Sequence, residues 1–329
     1  MAKLGHILET QQFKEKDLLD KLFSLSTEMK LFDKTSLTKE QTQRCEELSL
    51  SKGSRKKIMA CLFYEPSTRT RFSFETAMKI IGGDVLSTES AGHFSSAAKG
   101  ESLPDTIKVV GGYADVIVLR HPEEGSAKKA ARYSSVPIIN AGDGSGQHPT
   151  QALLDLYTIN DELGRMDDLE VALVGDLKYG RTVHSLVYLL AHRKGIKLDF
   201  IAPPEVAIHP EIKKYLQKKG IEVEETKELE DIIRRADVLY VTRIQKERFK
   251  KSDGTIDEER YKRCRGVYVI DERIADLMRT DSIIMHPLPR IDEIAQEVDK
   301  DKRAAYFRQA ANGKYVRMAL LKMVLDGYE

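Results

Sequence analysis

Residues Lys57–Ile81, KIMACLFYEPSTRTRFSFETAMKII, read as a strand, a short turn and a helix. The run from Lys57 to Phe63 is apolar almost throughout, as a parallel strand covered on both faces must be. Phe74, Ala77, Met78 and Ile81 then recur at the i, i+3, i+4, i+7 spacing of a helix face turned towards a core. Ser67 suits the N-cap, which puts Thr68, Arg69 and Thr70 in the first turn. Backbone N–H groups without intrahelical partners and the positive end of the helix dipole favour an anion there. The hydroxyls add donors, and a guanidinium at Arg69 matches phosphate oxygens two at a time. A solvated, capped helix explains Ser67 but not Arg69 and Arg71, because the dipole repels cations at this end. Phosphate is the natural guest. A P-loop is not the means, since no GxxxxGK[ST] occurs. Arg71, one position further in, carries a weaker, structural reading.

Working outward, strand-like runs alternate with amphipathic segments. ADVIVLR (114–120), VPIINAG (136–142), EVALVGD (170–176), KLDFIAP (197–203), ADVLYVTR (236–243) and DSIIMHP (281–287) read as further strands. HPTQALLDLYTINDELG and RTVHSLVYLLAHRKG read as helices between them. The alternation predicts parallel sheets built from right-handed βαβ units. A chain of 329 residues favours two domains. The helix from about Pro149 to Leu163 divides a first group of strands from a second series starting near Leu169. The last amphipathic helix, roughly Ala304–Leu325, suits either half. Glu89–Ser102 and Gln245–Cys264 are predicted to be mobile loops, the second being either a solvated excursion or a built feature.

Composition narrows the function. A net charge of +1 gives no global attraction to nucleic acid or anionic membrane, so any cationic site is local. Cys45, Cys61 and Cys264 are far apart and form no CxxC, which argues against a disulfide framework or zinc site. No apolar run reaches the ~20 residues that span a bilayer. The N-terminus lacks the apolar core of a signal peptide, so a cytoplasmic protein is expected.

In open α/β sheets ligands bind at the carboxyl ends of strands, and there the polar clusters fall. Arg120-His121 follows one strand, Gln147–Gln151 another, Arg181 a third, Arg243 and Gln245 a fourth, and His286–Arg290 the last. Pro149 suits the first helical position, so His148 sits at a cap with Gln151 in the first turn. A helix N-terminus disfavours imidazolium, and a neutral His148 can donate to a carbonyl oxygen on which charge develops. The alternative is a histidine that merely caps. Arg181 and Arg243, from two loops, suit a dicarboxylate with one bidentate pair each; either alone reads as a surface arginine. GDLKYGR is not GxGxxG, so dinucleotide binding has little support. No activated nucleophile motif occurs, and His121, His184 and His286 are not spaced as metal ligands.

FYEPSTRTRFSFE, LRHPEEG, NAGDGSGQHPTQALLDL, GDLKYGRTVHSL, TRIQKER and MHPLPRIDEI, in that order, resemble the aspartate carbamoyltransferase catalytic-chain family from about residue 57 to the C-terminal helix. The resemblance implies two parallel-sheet, three-layer αβα domains. Residues 1–149 would bind carbamoyl phosphate and 150–312 aspartate, with a C-terminal helix at about 313–329 packing back on the first domain. It implies carbamoyl transfer from carbamoyl phosphate to L-aspartate in pyrimidine biosynthesis, without metal or organic cofactor. By the same likeness Ser67, Thr68, Arg69 and Thr70 cradle the phosphate, and Arg120 reaches phosphate and carbonyl oxygen. Thr70, Arg120 and His148 polarise the carbonyl. Gln151 and the backbone carbonyls of Leu288 and Pro289 hold the carbamoyl nitrogen, while Arg181, Arg243 and Gln245 bind aspartate. Ser95 and Lys99 match residues donated to a neighbouring subunit's site, which implies a homotrimer with shared active sites; regulatory subunits or other pyrimidine enzymes are further candidate partners.

The nearest rival, ornithine carbamoyltransferase, typically has His-Cys-Leu-Pro where this chain has His286-Pro287-Leu288-Pro289, and its cationic substrate does not suit two arginines. A non-catalytic scaffold would be expected to have lost Arg69, His148 or Lys99, all present. Two departures from the family pattern are a longer segment at Leu31–Lys57 and extra residues after Gln245.

Overall fold

The computed structural model of the chain describes residues 4–50, 55–89 and 100–327. It divides into two compact units, Met1–Leu154 with Ala311–Glu329, and Asp155–Ala310.

The first unit carries α1 (Lys16–Met29), α2 (Lys39–Leu48), β1 (Ile58–Phe63), α3 (Thr68–Ile80), β2 (Asp84–Glu89), α4 (Leu103–Gly111), β3 (Val116–His121), α5 (Ser126–Tyr133), β4 (Ile138–Asp143) and the start of α6 (Pro149–Leu163). Its sheet runs β2-β1-β3-β4, every pair parallel. Side chains alternate across β1. Ala60 and Leu62 share a cluster with Ile107 of α4 and Ala130 of α5, and Met59, Cys61 and Phe63 on the opposite face are buried as well. The apolar character of the whole run follows from that double cover. The outer edge of β4 is paired by the N-terminal segment: the Ile7 N–H donates to the Ile138 carbonyl (2.8 Å), and the Asn140 N–H to that of Ile7 (2.8 Å). A covered edge cannot template pairing with another chain.

The second unit holds β5 (Glu170–Val174), α7 (Arg181–Leu190), β6 (Lys197–Ile201), α8 (Pro210–Lys218), β7 (Glu222–Thr226), α9 (Leu229–Ile233), β8 (Val238–Val241), α10 (Glu258–Cys264), α11 (Glu272–Asp276), β9 (Ile283–Met285) and the start of α12 (Tyr306–Leu325). The sheet order is β7-β6-β5-β8-β9, again all parallel. Two parallel-sheet α/β units are thus present, as the strand–helix alternation predicts. β2 and β7 are additions to the strands read from sequence. Both are edge strands without a buried residue, so neither has an apolar run to betray it.

The longer Leu31–Lys57 segment is built in where it is described. The Lys322 ammonium of α12 donates to the carbonyls of Glu47 (3.0 Å) and Ser49 (3.2 Å), closing the C-terminus of α2, as cations do at the negative end of a helix. The charged stretch after Gln245 is also built: Phe249, Tyr261 and Cys264 bury against Val206, and Lys250 bridges Ile256.

Asp199 lies within β6 with no exposed surface. Arg235 Nη2 is 3.2 Å and Lys197 Nζ 3.9 Å from its carboxylate, while Glu170 and Glu224 crowd the same cations. Burial first, then the charge of Glu170, push the Asp199 pKa from 3.8 up to about 7, against the pull of Arg235 and Lys197. A carboxyl that holds its proton more tightly when folded contributes stability on the acid side, and that contribution is lost as pH rises from about 4 to about 7. Asp199→Asn should therefore gain on the wild type by on the order of 1 kcal/mol or more between pH 5 and pH 8, followed by urea denaturation. A difference that stays constant with pH would sink the assignment.

Candidate functional site

In each sheet the chain leaves its first strand in opposite directions. From β1 it steps out to β2 and later returns to β3; from β5 it runs out through β6 and β7 and returns to β8. Loops at the carboxyl ends of β1 and β3, and of β5 and β8, therefore diverge and leave a crevice at each switch point. Of the described candidate residues, Ser67–Thr70, Arg181, Arg243 and Gln245 follow β1, β5 and β8, Arg120 lies at the end of β3, and His148, Gln151, Leu288 and Pro289 follow β4 and β9.

In the first unit Ser67 occupies the N-cap of α3 with an extended φ of −161°. Its side chain makes no capping hydrogen bond, so the hydroxyl expected to cap the helix is not used that way. The first intrahelical bond runs from the Arg71 N–H to the Ser67 carbonyl (3.1 Å). The N–H groups of Thr68, Arg69 and Thr70 thus have no carbonyl within the helix to meet. Thr70 is buried and Arg69 exposed. Arg71 pairs with Glu75 (3.6 Å) and Glu89 (3.2 Å) and lies over the Phe72 ring. Its structural reading holds.

Register sets Arg120. Phe63 pairs with Arg120 across β1 and β3, and the Tyr64 N–H donates to its carbonyl (2.8 Å). The guanidinium is anchored by Glu65 (3.4 Å) and by the Ala141 carbonyl (3.3 Å), its side chain 14% exposed. Glu65 carries no role in the sequence reading, although a carboxylate two residues past a strand and close to an arginine cluster is a signal in hindsight. The neighbouring His121 accepts hydrogen bonds at Nδ1 from the Glu123 N–H (3.1 Å) and contacts the Ser126 hydroxyl (2.8 Å). Burial lowers its pKa, which suits a structural histidine.

His148 is 4% exposed at the start of α6, its carbonyl accepting from the N–H groups of Gln151 (3.0 Å) and Ala152 (3.2 Å). The preceding Gln147 is held by the N-terminal segment: its Oε1 accepts from the Thr10 N–H (2.8 Å) and hydroxyl (2.7 Å), and its amide donates to Gln11 (2.8 Å). From α12, Arg317 donates to Ser73 of α3 (2.9 Å) and Thr150 of α6 (3.5 Å) while lying over the Phe74 ring (5.0 Å). One guanidinium thus fixes the two helices whose first turns bear Arg69, Thr70, His148 and Gln151.

In the second unit, β5 is followed by Gly175, whose φ is +109° and whose hypothetical Cβ would lie 2.1 Å from the Thr242 carbonyl oxygen. Only glycine permits that approach. Asp176, fully buried, then joins the two loops. Its carboxylate accepts from the Tyr179 N–H (2.9 Å) on its own loop and from the Gln245 N–H (3.4 Å) and side-chain amide (3.3 Å) on the β8 loop. Burial raises its pKa and these bonds oppose the rise. Arg181 opens α7 seven residues beyond the strand rather than directly after it. Arg243 forms a two-pronged ion pair with Glu247. Beyond β9, Leu288 has a φ of +54° and precedes a cis peptide bond to Pro289. Ser95 and Lys99 lie outside the described residues. Among the described residues no cluster of three or more His, Cys, Asp or Glu side chains could hold a metal ion.

Comparison with known proteins gives this geometry a family. Residues 5–161 match the aspartate/ornithine carbamoyltransferase, carbamoyl-P binding domain, and residues 167–324 the Asp/Orn binding domain of the same family. The chain is 51% identical over 326 residues to a chloroplastic aspartate carbamoyltransferase of Arabidopsis thaliana, covering 99% of this chain and 79% of that one. It is similar to the catalytic subunit of M. jannaschii aspartate transcarbamoylase (46% identity, TM-score 0.84, 98% of each chain). The Trypanosoma cruzi aspartate transcarbamoylase solved with carbamoyl phosphate and aspartate matches at 38% identity and a TM-score of 0.85, over 98% of this chain and 97% of that one. Matched by both domain models of the family and by relatives over nearly its whole length, this chain belongs to the aspartate/ornithine carbamoyltransferase family.

Proposed function

We propose that the chain transfers the carbamoyl group of carbamoyl phosphate to the amine of L-aspartate, giving N-carbamoyl-L-aspartate and phosphate. The observation that carries the proposal is the α3 tip. Three N–H groups without helical partners, an unspent Ser67 hydroxyl and an exposed Arg69 stand together at the switch point of the first sheet. A trypanosomal relative that binds carbamoyl phosphate and aspartate together supports the choice of guests.

The chemistry follows from the residue types. Ser67, Thr68, Arg69 and Thr70 hold the phosphate. Thr70, Arg120 and His148 donate to the carbamoyl oxygen as it gains charge, while Gln151 and the carbonyls of Leu288 and Pro289 hold the carbamoyl nitrogen. Arg181, Arg243 and Gln245 bind the aspartate carboxylates, Arg243 exchanging Glu247 for a substrate carboxylate. The amine attacks the carbamoyl carbon, a C–N bond forms, and the C–O bond to phosphate breaks. The amine proton passes to the departing phosphate, so no separate protein base is required. Preorganised donors at an oxyanion supply the largest share of stabilisation in such a step.

Assembly into a homotrimer with Ser95 and Lys99 completing a neighbour's site is part of the same reading. Supporting it, Phe72 is 51% and Leu86 50% exposed, on α3 and the edge strand β2 just before the Ser95–Lys99 segment.

Turnover with carbamoyl phosphate and aspartate is expected, and turnover with ornithine alone would overturn the substrate assignment. Arg69→Ala should lower kcat by roughly 10²–10³-fold, the range found when one preorganised donor to charge developing in the transition state, here on the departing phosphate, is removed, with the fold intact by circular dichroism. Inactive Arg69→Ala and Lys99→Ala proteins, mixed and allowed to exchange, should recover activity through hybrid assemblies that contain intact sites. Verified exchange without recovery would dismiss shared sites.

A further inference from the structure

The turn after β9 is organised by buried polar groups to which the mechanism assigns no role. His286 is 1% and Glu293 7% exposed. The Leu288 N–H donates to His286 Nδ1 at 2.7 Å. A backbone N–H can only donate, so Nδ1 carries no proton and the imidazole is the neutral tautomer with hydrogen on Nε2. That hydrogen points to Glu293 Oε1 at 2.7 Å. The other oxygen of Glu293 accepts from the Ile291 and Asp292 N–H groups, both at 3.2 Å. Both carboxylate oxygens of Glu293 are thus met by hydrogen-bond donors. Glu293 therefore remains an acceptor.

The backbone of His286 is fixed from behind. Its N–H donates to Gln309 Oε1 (2.9 Å), the Gln309 amide donates to Asp155 (2.7 Å), and the Tyr240 hydroxyl donates to the second Asp155 oxygen (2.7 Å). Asp155, Tyr240 and Gln309 are all at most 1% exposed. A buried chain of this kind is costly unless each member is satisfied. Here it ends on a single turn, where Leu288 holds a left-handed φ of +54° that a leucine rarely adopts. Such a conformation persists only where its surroundings enforce it.

We infer that His286 is a positioning residue for carbamoyl recognition. Its bare Nδ1, oriented through Glu293, grips the Leu288 N–H and keeps the Leu288 and Pro289 carbonyls in the conformation that receives the carbamoyl nitrogen. The inference deepens the proposed function and rests on its assignment of those two carbonyls.

The test uses purified full-length protein and two stable phosphonates, phosphonoacetamide and the methyl ketone in which CH3 replaces the amide NH2. Calorimetry on the wild type should give about tenfold tighter binding of the amide, the worth of one or two hydrogen bonds. His286→Leu should reduce that preference to about twofold, and His286→Asn, whose Oδ1 overlays Nδ1, should retain most of it. Inorganic phosphate should bind all three proteins alike, because its cradle lies in the other unit. A leucine variant that keeps the amide preference, or an asparagine variant that loses it as fully as leucine does, overturns the role of Nδ1. A wild type that does not distinguish amide from ketone overturns the carbonyl assignment, and the inference falls with it. If the leucine variant does not fold, the wild-type imidazole 15N spectrum decides: Nδ1 unprotonated between pH 6 and 9 supports the inference, and a protonated Nδ1 overturns it.

Discussion

Two strands that leave the middle of a parallel sheet in opposite directions cannot carry their connecting loops to the same side. The gap that results is fixed by backbone hydrogen bonding, not by the side chains that later fill it. Here β1 with β3, and β5 with β8, form that gap once in each unit. Register then decides which residue stands at its rim. Phe63 opposite Arg120 brings Glu65 beside the guanidinium, and Val174 opposite Val241 brings Asp176 within reach of Gln245. A slip of one residue in either pair would turn each of these side chains to the opposite face.

On that frame, the candidate site residues are held by partners outside the candidate set. Glu65 anchors Arg120, Gln147 is gripped by Thr10 and Gln11, Arg317 ties α3 to α6, and Asp176 joins two loops. Loops alone could not hold donors within the few tenths of an ångström that carbonyl polarisation requires. The partners come from distant parts of the chain, and the N-terminal segment and the last helix both return to the first unit for this purpose.

These partners explain what the sequence left unread. β1, β3 and β5 announced themselves because double burial demands unbroken apolar runs; β2 and β7 did not, because an edge strand with solvent on its side chains has no such demand. Arg69, His148 and Arg243 were legible from residue type at a strand end. Glu65, Asp176 and Glu293 looked like the ordinary solvated carboxylates of a chain that is one-third charged. The burial of Asp176 and Glu293, and the pairing of Glu65 with Arg120, are tertiary facts. The charged stretch after Gln245 was ambiguous for the same reason, since only packing reveals that Phe249 and Tyr261 close over Val206.

By itself, then, the sequence determined the class of fold, the strand ends that bear chemistry and the sign of the charge each one offers, because periodicity and helix-cap chemistry act over a few residues. Tertiary structure alone decided which strand neighbours which, that Ser67 leaves its hydroxyl uncommitted to the cap, that Arg71 pairs with Glu75 and Glu89, and that His286 carries its proton on Nε2. Each of these depends on atoms brought together across tens or hundreds of residues, and local pattern holds no record of such encounters.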